Sequence, residues 1–189
     1  MKATWSLVLV ALLLAGSAQA RSVKIADLIA SLKKREPIVR VQEEKLPPPP
    51  PERSAERKYL VWAKSEDDEV FQYVLFFAAP KGKRYLNVLS VRFEGSPSFS
   101  RALYGFGYLV GFIEGVCLGL SQETSQNLVN WFGDRVQRIQ ENGVGQFNRN
   151  FGPVTVDLVG YHVGDVGDLM LVFTRHGAPG EKWPHWCEY

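Results

Sequence analysis

The apolar stretch from Ala102 to Leu120 constrains the fold of this chain most, because a helix of that length and polarity has to be buried somewhere. It places glycine at every fourth position, on one face of the predicted helix: Gly107, Gly111, Gly115 and Gly119. A face without side chains lets another backbone approach closely, either in a protein core or between helices in lipid. Because Glu114 in the middle of the stretch is costly in lipid, we favour burial, and insertion of residues 102–120 into a membrane stays the alternative.

Short segments rich in Val, Phe and Tyr flank this stretch on both sides and predict strands. The predicted strands cover residues 59–64, 70–78, 84–93, 153–163 and 168–174. Residues 122–141 have the apolar periodicity of a second, amphipathic helix, and residues 145–152 are predicted to be a polar loop. The order of strands, two helices and strands predicts an α+β domain, with an antiparallel sheet of about five strands and a helical pair packed on one face.

The N-terminus has the three parts of a secretory signal peptide. Lys2 gives a positive start, residues 5–15 are apolar, and Ala18-Gln19-Ala20 has the small residues that signal peptidase accepts. We therefore predict a signal peptide over residues 1–20, cleaved after Ala20, and a secreted or periplasmic protein. The alternative is an uncleaved membrane anchor.

Residues 21–58 differ from residues 59–189, so we predict a basic arm followed by a globular α+β domain. The arm has ten basic and six acidic side chains, whereas residues 59–189 have eleven and fourteen. Apolar residues from Ile25 to Leu32 have helical spacing and predict a short amphipathic helix. Five prolines, Pro47 to Pro51, favour an extended proline-rich linker that acts as a stiff spacer, the alternative being recognition by a proline-binding domain. The arm could bind anionic envelope polymers or lipid headgroups, or it could be a solvated tail.

The overall charge and the cysteine content exclude two classes of protein. With 22 basic and 20 acidic residues, the chain lacks the excess positive charge of a dedicated nucleic-acid binder. Two cysteines are too few for a four-cysteine zinc site. In an exported chain, Cys117 and Cys187 are predicted to form a disulfide, the alternative being two free thiols.

Few side chains have the spacing of a catalytic or metal site, and we predict no cofactor and no bound metal. Glu114 is a candidate buried or groove-lining acid, but we favour the alternative that it reaches the edge of its helix or an Arg. His162, Asp165 and Asp168 cluster where a hairpin turn is predicted, and we favour turn formation over metal binding as the reason for them.

Arg175-His176-Gly177 resembles the phosphohistidine loop of the histidine phosphatase family in these residues alone. In that family the loop follows the first strand and further His and Arg residues lie far downstream, whereas only twelve residues follow Gly177 here. We interpret the match as fortuitous. Trp183 and Trp186 could form a platform for a sugar or peptide, but we favour packing beside the disulfide.

Together these features favour an exported, non-catalytic binding or accessory protein of the cell envelope, with a protein or envelope component as its partner. Two alternatives stay open. One is a membrane-active protein that uses the glycine-spaced helix 102–120. The other is a secreted hydrolase of unidentified class, which requires Glu114, His162 or His176 to meet a second titratable group in one cleft.

Overall fold

The computed structural model describes residues 21–96, 98–180, 183 and 185–189, apart from the side chain of Ser54. The predicted signal peptide, residues 1–20, lies outside this part of the chain. The described strands are β1 (Arg21–Lys24), β2 (Ile38–Glu44), β3 (Arg53–Lys64), β4 (Val70–Pro80), β5 (Val88–Ser96), β6 (Val144–Phe151), β7 (Val154–Val163), β8 (Val166–Arg175) and β9 (His185–Glu188). The described helices are α1 (Ile25–Leu32), α2 (Phe99–Ile113), which continues as a π-helical turn over Glu114–Leu118, and α3 (Gln122–Asn142).

The main sheet has seven antiparallel strands in the order β2-β3-β4-β5-β8-β7-β6, and β1 pairs with β9 in a small parallel sheet. The predicted α+β class is therefore confirmed, with a large antiparallel sheet. The predicted counts of five strands and two helices differ from the structure: the main sheet alone has seven strands, and the described chain has three helices. The third helix is α1, where the helical spacing from Ile25 to Leu32 predicts one. The predicted polar loop at residues 145–152 is largely β6, an edge strand whose exposed polar residues resemble those of a loop.

One face of the main sheet packs against α2 and α3. Tyr73 on β4 donates a hydrogen bond of 2.8 Å from its hydroxyl to the carbonyl of Ala102 on α2. The ring of Phe93 on β5 meets the ring of Phe106 at 5.6 Å between centroids. Trp131 on α3 meets Phe151 on β6 at 5.6 Å. These edge-to-face aromatic contacts place the core between the sheet and the helices.

The segment predicted to be a basic arm supplies parts of the same fold. Apolar residues of α1 lie in the core, and Leu32 is fully buried. β2 forms one edge of the main sheet by pairing with β3. The proline run connects β2 to this neighbouring strand, since Glu44 pairs with Lys58 across it. β3 begins at Arg53, so the predicted boundary at residue 58 falls within a strand.

The glycine stripe on α2 does not bring a second backbone close along its length. A Cβ atom added at Gly107 or Gly115 would meet nothing within 4 Å. The close approach lies at Gly105 instead, where a Cβ would come within 2.5 Å of the Tyr73 hydroxyl oxygen. Gly119 ends the helix with a left-handed φ of 57°, and its Cα faces the His185 side chain. A Cβ at Gly119 would also lie 3.0 Å from the backbone nitrogen of His185, so among Gly107, Gly115 and Gly119 the close approach is confined to the end of the helix.

Candidate functional site

Cys117 and Cys187 lie together, as the sequence predicts. Their Cα atoms are 4.9 Å apart, their sulfur atoms are at bonding distance, and both residues are buried. Cα separations between about 4.4 and 6.8 Å are those of disulfides. The pair joins the π-helical turn to β9, and it is compatible with an oxidising, extracellular compartment.

Glu114 begins the π-helical turn and is partly buried. Burial raises the pKa of its carboxyl group, and a hydrogen bond from the side chain of Ser125 on α3 partly opposes that effect. π-Helical turns often occur at functional sites because they redirect side chains. Here the turn places Glu114 against the start of α3.

The histidines that a hydrolase would use lie apart. His162 lies near the β7–β8 turn, with its ring 4.7 Å from the ring of Phe99. His176 follows the other end of the hairpin, and its Nε2 atom lies 2.6 Å from the hydroxyl of Thr155. Thr155 and His162 belong to the same strand and are about 24 Å apart along it, at roughly 3.4 Å per residue. The two histidines therefore do not share a cleft.

Asp165 and Asp168 accept hydrogen bonds that join the β7–β8 hairpin to α2 and β5. The carbonyl of Asp165 accepts a hydrogen bond of 2.9 Å from the backbone N–H of Phe99, at the start of α2. The carboxylate of Asp168 accepts one from the N–H of Gly95 on β5. Within the part of the chain that the structure describes, no group of three or more His, Cys, Asp or Glu side chains could hold a metal ion.

Arg175 and Trp183 form a buried pair rather than an exposed site. Trp183 is fully buried, and its Nε1 atom donates a hydrogen bond of 3.2 Å to the carbonyl of His176. Arg175 is 2% exposed and donates from Nη1 to the carbonyl of His185 at 2.7 Å. Trp183 thus has no exposed face to offer as a platform, while Trp186 on β9 is partly exposed and pairs in register with Ser22.

A broad apolar surface lies on the face of the main sheet opposite to the helices, which we call the open face. Strand residues alternate between the two faces. The helix-covered face takes Leu75 and Val91, so the neighbours Val74 and Arg92 project from the open face. The apolar residues of the open face are Leu60, Trp62, Val70, Val74, Phe76, Val88, Val144, Val159, Tyr161, Val163, Val166, Met170 and Val172.

Exposure is greatest at the ends and the β6–β7 side of the open face, whereas central residues such as Val74 and Phe76 are partly exposed and Ser90 is buried. Tyr161 is 48% exposed and Val144 is 65% exposed, and Val70, Val163 and Val166 are similarly exposed. Sheets with one solvated face usually present polar residues there. An uncovered face this rich in large apolar residues is typical of an interaction surface.

Arginine side chains lie over two aromatic rings of the open face. The guanidinium carbon of Arg40 lies 4.7 Å from the ring centroid of Trp62. That of Arg53 lies 5.7 Å from the ring of Phe76. Aromatic residues, Met and Arg are the residue types enriched in the centres of protein interfaces. The composition of the open face therefore matches a surface that binds protein.

Sequence reasoning did not find the open face, although β4 and β8 carry a signal for it. Residues 74–77 (VLFF) and 169–173 (LMLVF) are apolar at consecutive positions, without the alternation of a strand that has one wet face. Such runs indicate a strand that is covered on both faces. In the structure, the helices cover only one face of these strands.

Two surface cavities lie away from the predicted site residues. A cavity of about 180 Å³ lies between the start of β4 and the end of β5, and its lining includes Glu69, Phe93 and Ser96. A wider depression of about 620 Å³ lies at the start of α3. Neither is lined by Glu114 or by a histidine.

Comparison with known proteins adds no functional assignment. The chain matches no family model, and no curated protein or solved structure is significantly similar to it.

Proposed function

We propose that this protein is an exported, non-catalytic binding or accessory protein of the cell envelope that binds a protein partner through the open face. The observation that carries the proposal is the uncovered apolar surface of a large antiparallel sheet, with Tyr161 48% exposed at one side. Burial of apolar area is the dominant favourable term in protein association. Arg40 and Trp62 add the residue types that most often dominate binding energy.

Export is the second part of the proposal. It rests on the predicted signal peptide, and the close pair of Cys117 and Cys187 supports it. Disulfides persist in oxidising compartments and are rare in the cytosol.

The two alternatives have less support. The helix formed by Phe99–Leu118 is long and apolar enough to cross a membrane, but half of its apolar window is buried inside the fold. Insertion would remove Phe106 and Leu109, both fully buried, from the core. A hydrolase would have to work without His162 and His176 in one cleft, since they lie at opposite ends of the β7–β8 hairpin.

Site-specific photo-crosslinking in the native cells tests the proposal. A photoreactive phenylalanine analogue replaces Tyr161 on the open face or, as a matched control, Tyr104, which is partly exposed on α2. We expect irradiation to give an adduct of one defined mass from position 161 and none from position 104. The absence of any adduct at position 161, or the same adducts from both positions, would refute binding through the open face.

A further inference from the structure

We propose that the partner of the open face is a second copy of this chain, so that two sheets pack face to face with the helices outside. This inference rests on the proposed function, because it names the occupant of the same surface. Three properties of the open face point to a second copy: its symmetry about the central strand, its area and its charge pattern.

The strand order makes the open face suitable for a two-fold axis. β5 is the central strand of the seven, with β2, β3 and β4 on one side and β6, β7 and β8 on the other. A two-fold axis that runs along β5 above the open face places β3 opposite β7 of the second copy, and β4 opposite β8. An interface of this kind uses the same surface patch on both subunits.

The cross-strand register then brings apolar residues together. Leu60 pairs with Val74, and Val159 pairs with Met170, in one row across the open face. Arg92 on β5 joins these two pairs into a single row. The two-fold axis maps this row onto itself, so that Leu60 faces Val159 of the second copy and Val74 faces Met170 of the second copy.

The row on the side towards Phe76 has opposite charges at its two ends, and each also has a partner within its own subunit. Lys58 Nζ lies 2.9 Å from a Glu44 carboxylate oxygen, and the Asp157 carboxylate accepts a hydrogen bond from the Asn148 side chain. It runs from Lys58 through Phe76, Ser90 and Val172 to Asp157. The same axis places Phe76 opposite Val172 of the second copy and Lys58 opposite Asp157 of the second copy. Opposite charges across an interface fix its register.

The third row places two aromatic residues together. Trp62 pairs with Gln72, and Tyr161 pairs with Asp168, at the same level of the sheet. The axis therefore sets Trp62 against Tyr161 of the second copy. At the axis itself, Arg92 is already paired with Glu94 at 2.7 Å, so the two copies of Arg92 approach as neutralised pairs.

The area of the open face fits a stable dimer. Seven strands are separated by six intervals of about 4.8 Å, and about eight residues of common length at roughly 3.4 Å each then give about 800 Å² per copy. A standard specific interface buries about 800 Å² on each partner. Two antiparallel sheets pack face to face at a separation of about 10 Å, with aligned strands.

Charge reversal tests this arrangement on the protein expressed from its full-length sequence. Lys58→Glu, Asp157→Lys and the double variant are compared with Lys81→Glu, which changes the same charge in the β4–β5 turn, away from the open face. Molar mass and dimer dissociation constant are measured by sedimentation equilibrium across the micromolar range. Circular dichroism and thermal unfolding establish that each variant is folded.

We expect a dimer whose dissociation constant rises about tenfold or more in each single reversal, because like charges then face each other, and returns to within about threefold of the original value in the double variant. Lys81→Glu is expected to leave it unchanged. A folded protein that is monomeric throughout, or a dimer indifferent to both single reversals, overturns the inference.

The photo-crosslinking described above separates this inference from the proposed function. An adduct at position 161 between two copies of the chain supports both. An adduct with a different polypeptide, together with a monomeric purified protein, overturns the second-copy inference and leaves binding through the open face standing. No adduct at position 161 overturns the proposed function itself.

Discussion

The guanidinium carbon of Arg175 lies 4.3 Å from the ring centroid of Trp183, and both residues are buried. Removal from water lowers the pKa of Arg175 to about 10. Among the described residues, Nε and Nη2 of Arg175 have no hydrogen-bond partner. Arg175, at the end of β8, therefore contacts the Trp183 ring and the His185 carbonyl rather than a carboxylate. The Tyr85 ring packs edge-on against the Trp183 ring, with 5.5 Å between the centroids.

This arrangement predicts that Arg175 and Trp183 contribute unequally to the stability of the fold. Trp183→Ala is expected to lower the free energy of unfolding by about 3–5 kcal/mol, because it opens a cavity beside a charge that stays buried. Arg175→Met is expected to change it by no more than about 1 kcal/mol, because loss of the desolvated charge offsets the lost bond to His185. Urea unfolding followed by circular dichroism measures both. A larger loss in Arg175→Met than in Trp183→Ala would show that the guanidinium is the stronger contributor.

The raised pKa of Glu114 predicts that the stability of the folded protein depends on pH. Because burial raises its pKa in the folded protein, the folded state holds the proton to a higher pH than the unfolded state does. Its contribution to stability therefore falls as pH rises above the ordinary pKa of a glutamic acid. Glu114→Gln is expected to raise the melting temperature at pH 7 and to leave it unchanged below that ordinary pKa, about 4.3.

Thermal unfolding across this pH range is the measurement, and Glu123→Gln on the exposed surface of α3 is the control. A Glu114→Gln variant that melts at the same temperature as the parent at both ends of the range would mean that the carboxyl is well solvated in the fold.

Two neighbouring glycines on α2 predict opposite effects of the same substitution. Gly107→Ala is expected to stabilise the protein by up to about 1 kcal/mol, because the added methyl group meets open space and alanine favours a helix. Gly105→Ala is expected to destabilise it by about 1–3 kcal/mol, because the methyl group would collide with the Tyr73 hydroxyl.

Urea unfolding of the two variants, with Tyr73→Phe added to Gly105→Ala to relieve part of the collision, measures this contrast. If Gly107→Ala were the more damaging change, the regular glycine stripe would be the packing surface after all.

The cysteine pair predicts a covalent cross-link. We expect the protein purified without reductant to show no free thiol when it is unfolded. Its 70-residue separation gives an expected stabilisation of about 4 kcal/mol in the chain-entropy treatment, measured as the loss of unfolding free energy in reductant. A double variant with Cys117→Ala and Cys187→Ala should be insensitive to reductant, and two reactive thiols in the unfolded parent would contradict the cross-link.

The sequence by itself determined the fold class, the two long helices and most of the hairpins, because these depend on local periodicity. Residues 122–141 were predicted as a helix and are α3 almost to the residue, since an amphipathic repeat and the Ser121 cap act within a few residues. Export stays a prediction from a local pattern, the apolar segment and small residues before Arg21. The pairing of Cys117 with Cys187 followed from there being no other cysteine.

Only the tertiary structure decided which faces are covered. β2 and β6 are edge strands whose exposed polar residues resemble a tail and a loop, so pairing with β3 and β7 was needed to define them. The buried contact between Gly105 and Tyr73 and the pair of Arg175 and Trp183 join residues distant in sequence. The open face also depends on the tertiary structure. The apolar runs in β4 and β8 are typical of strands buried on both faces, and only the packed chain shows that the helices cover one face.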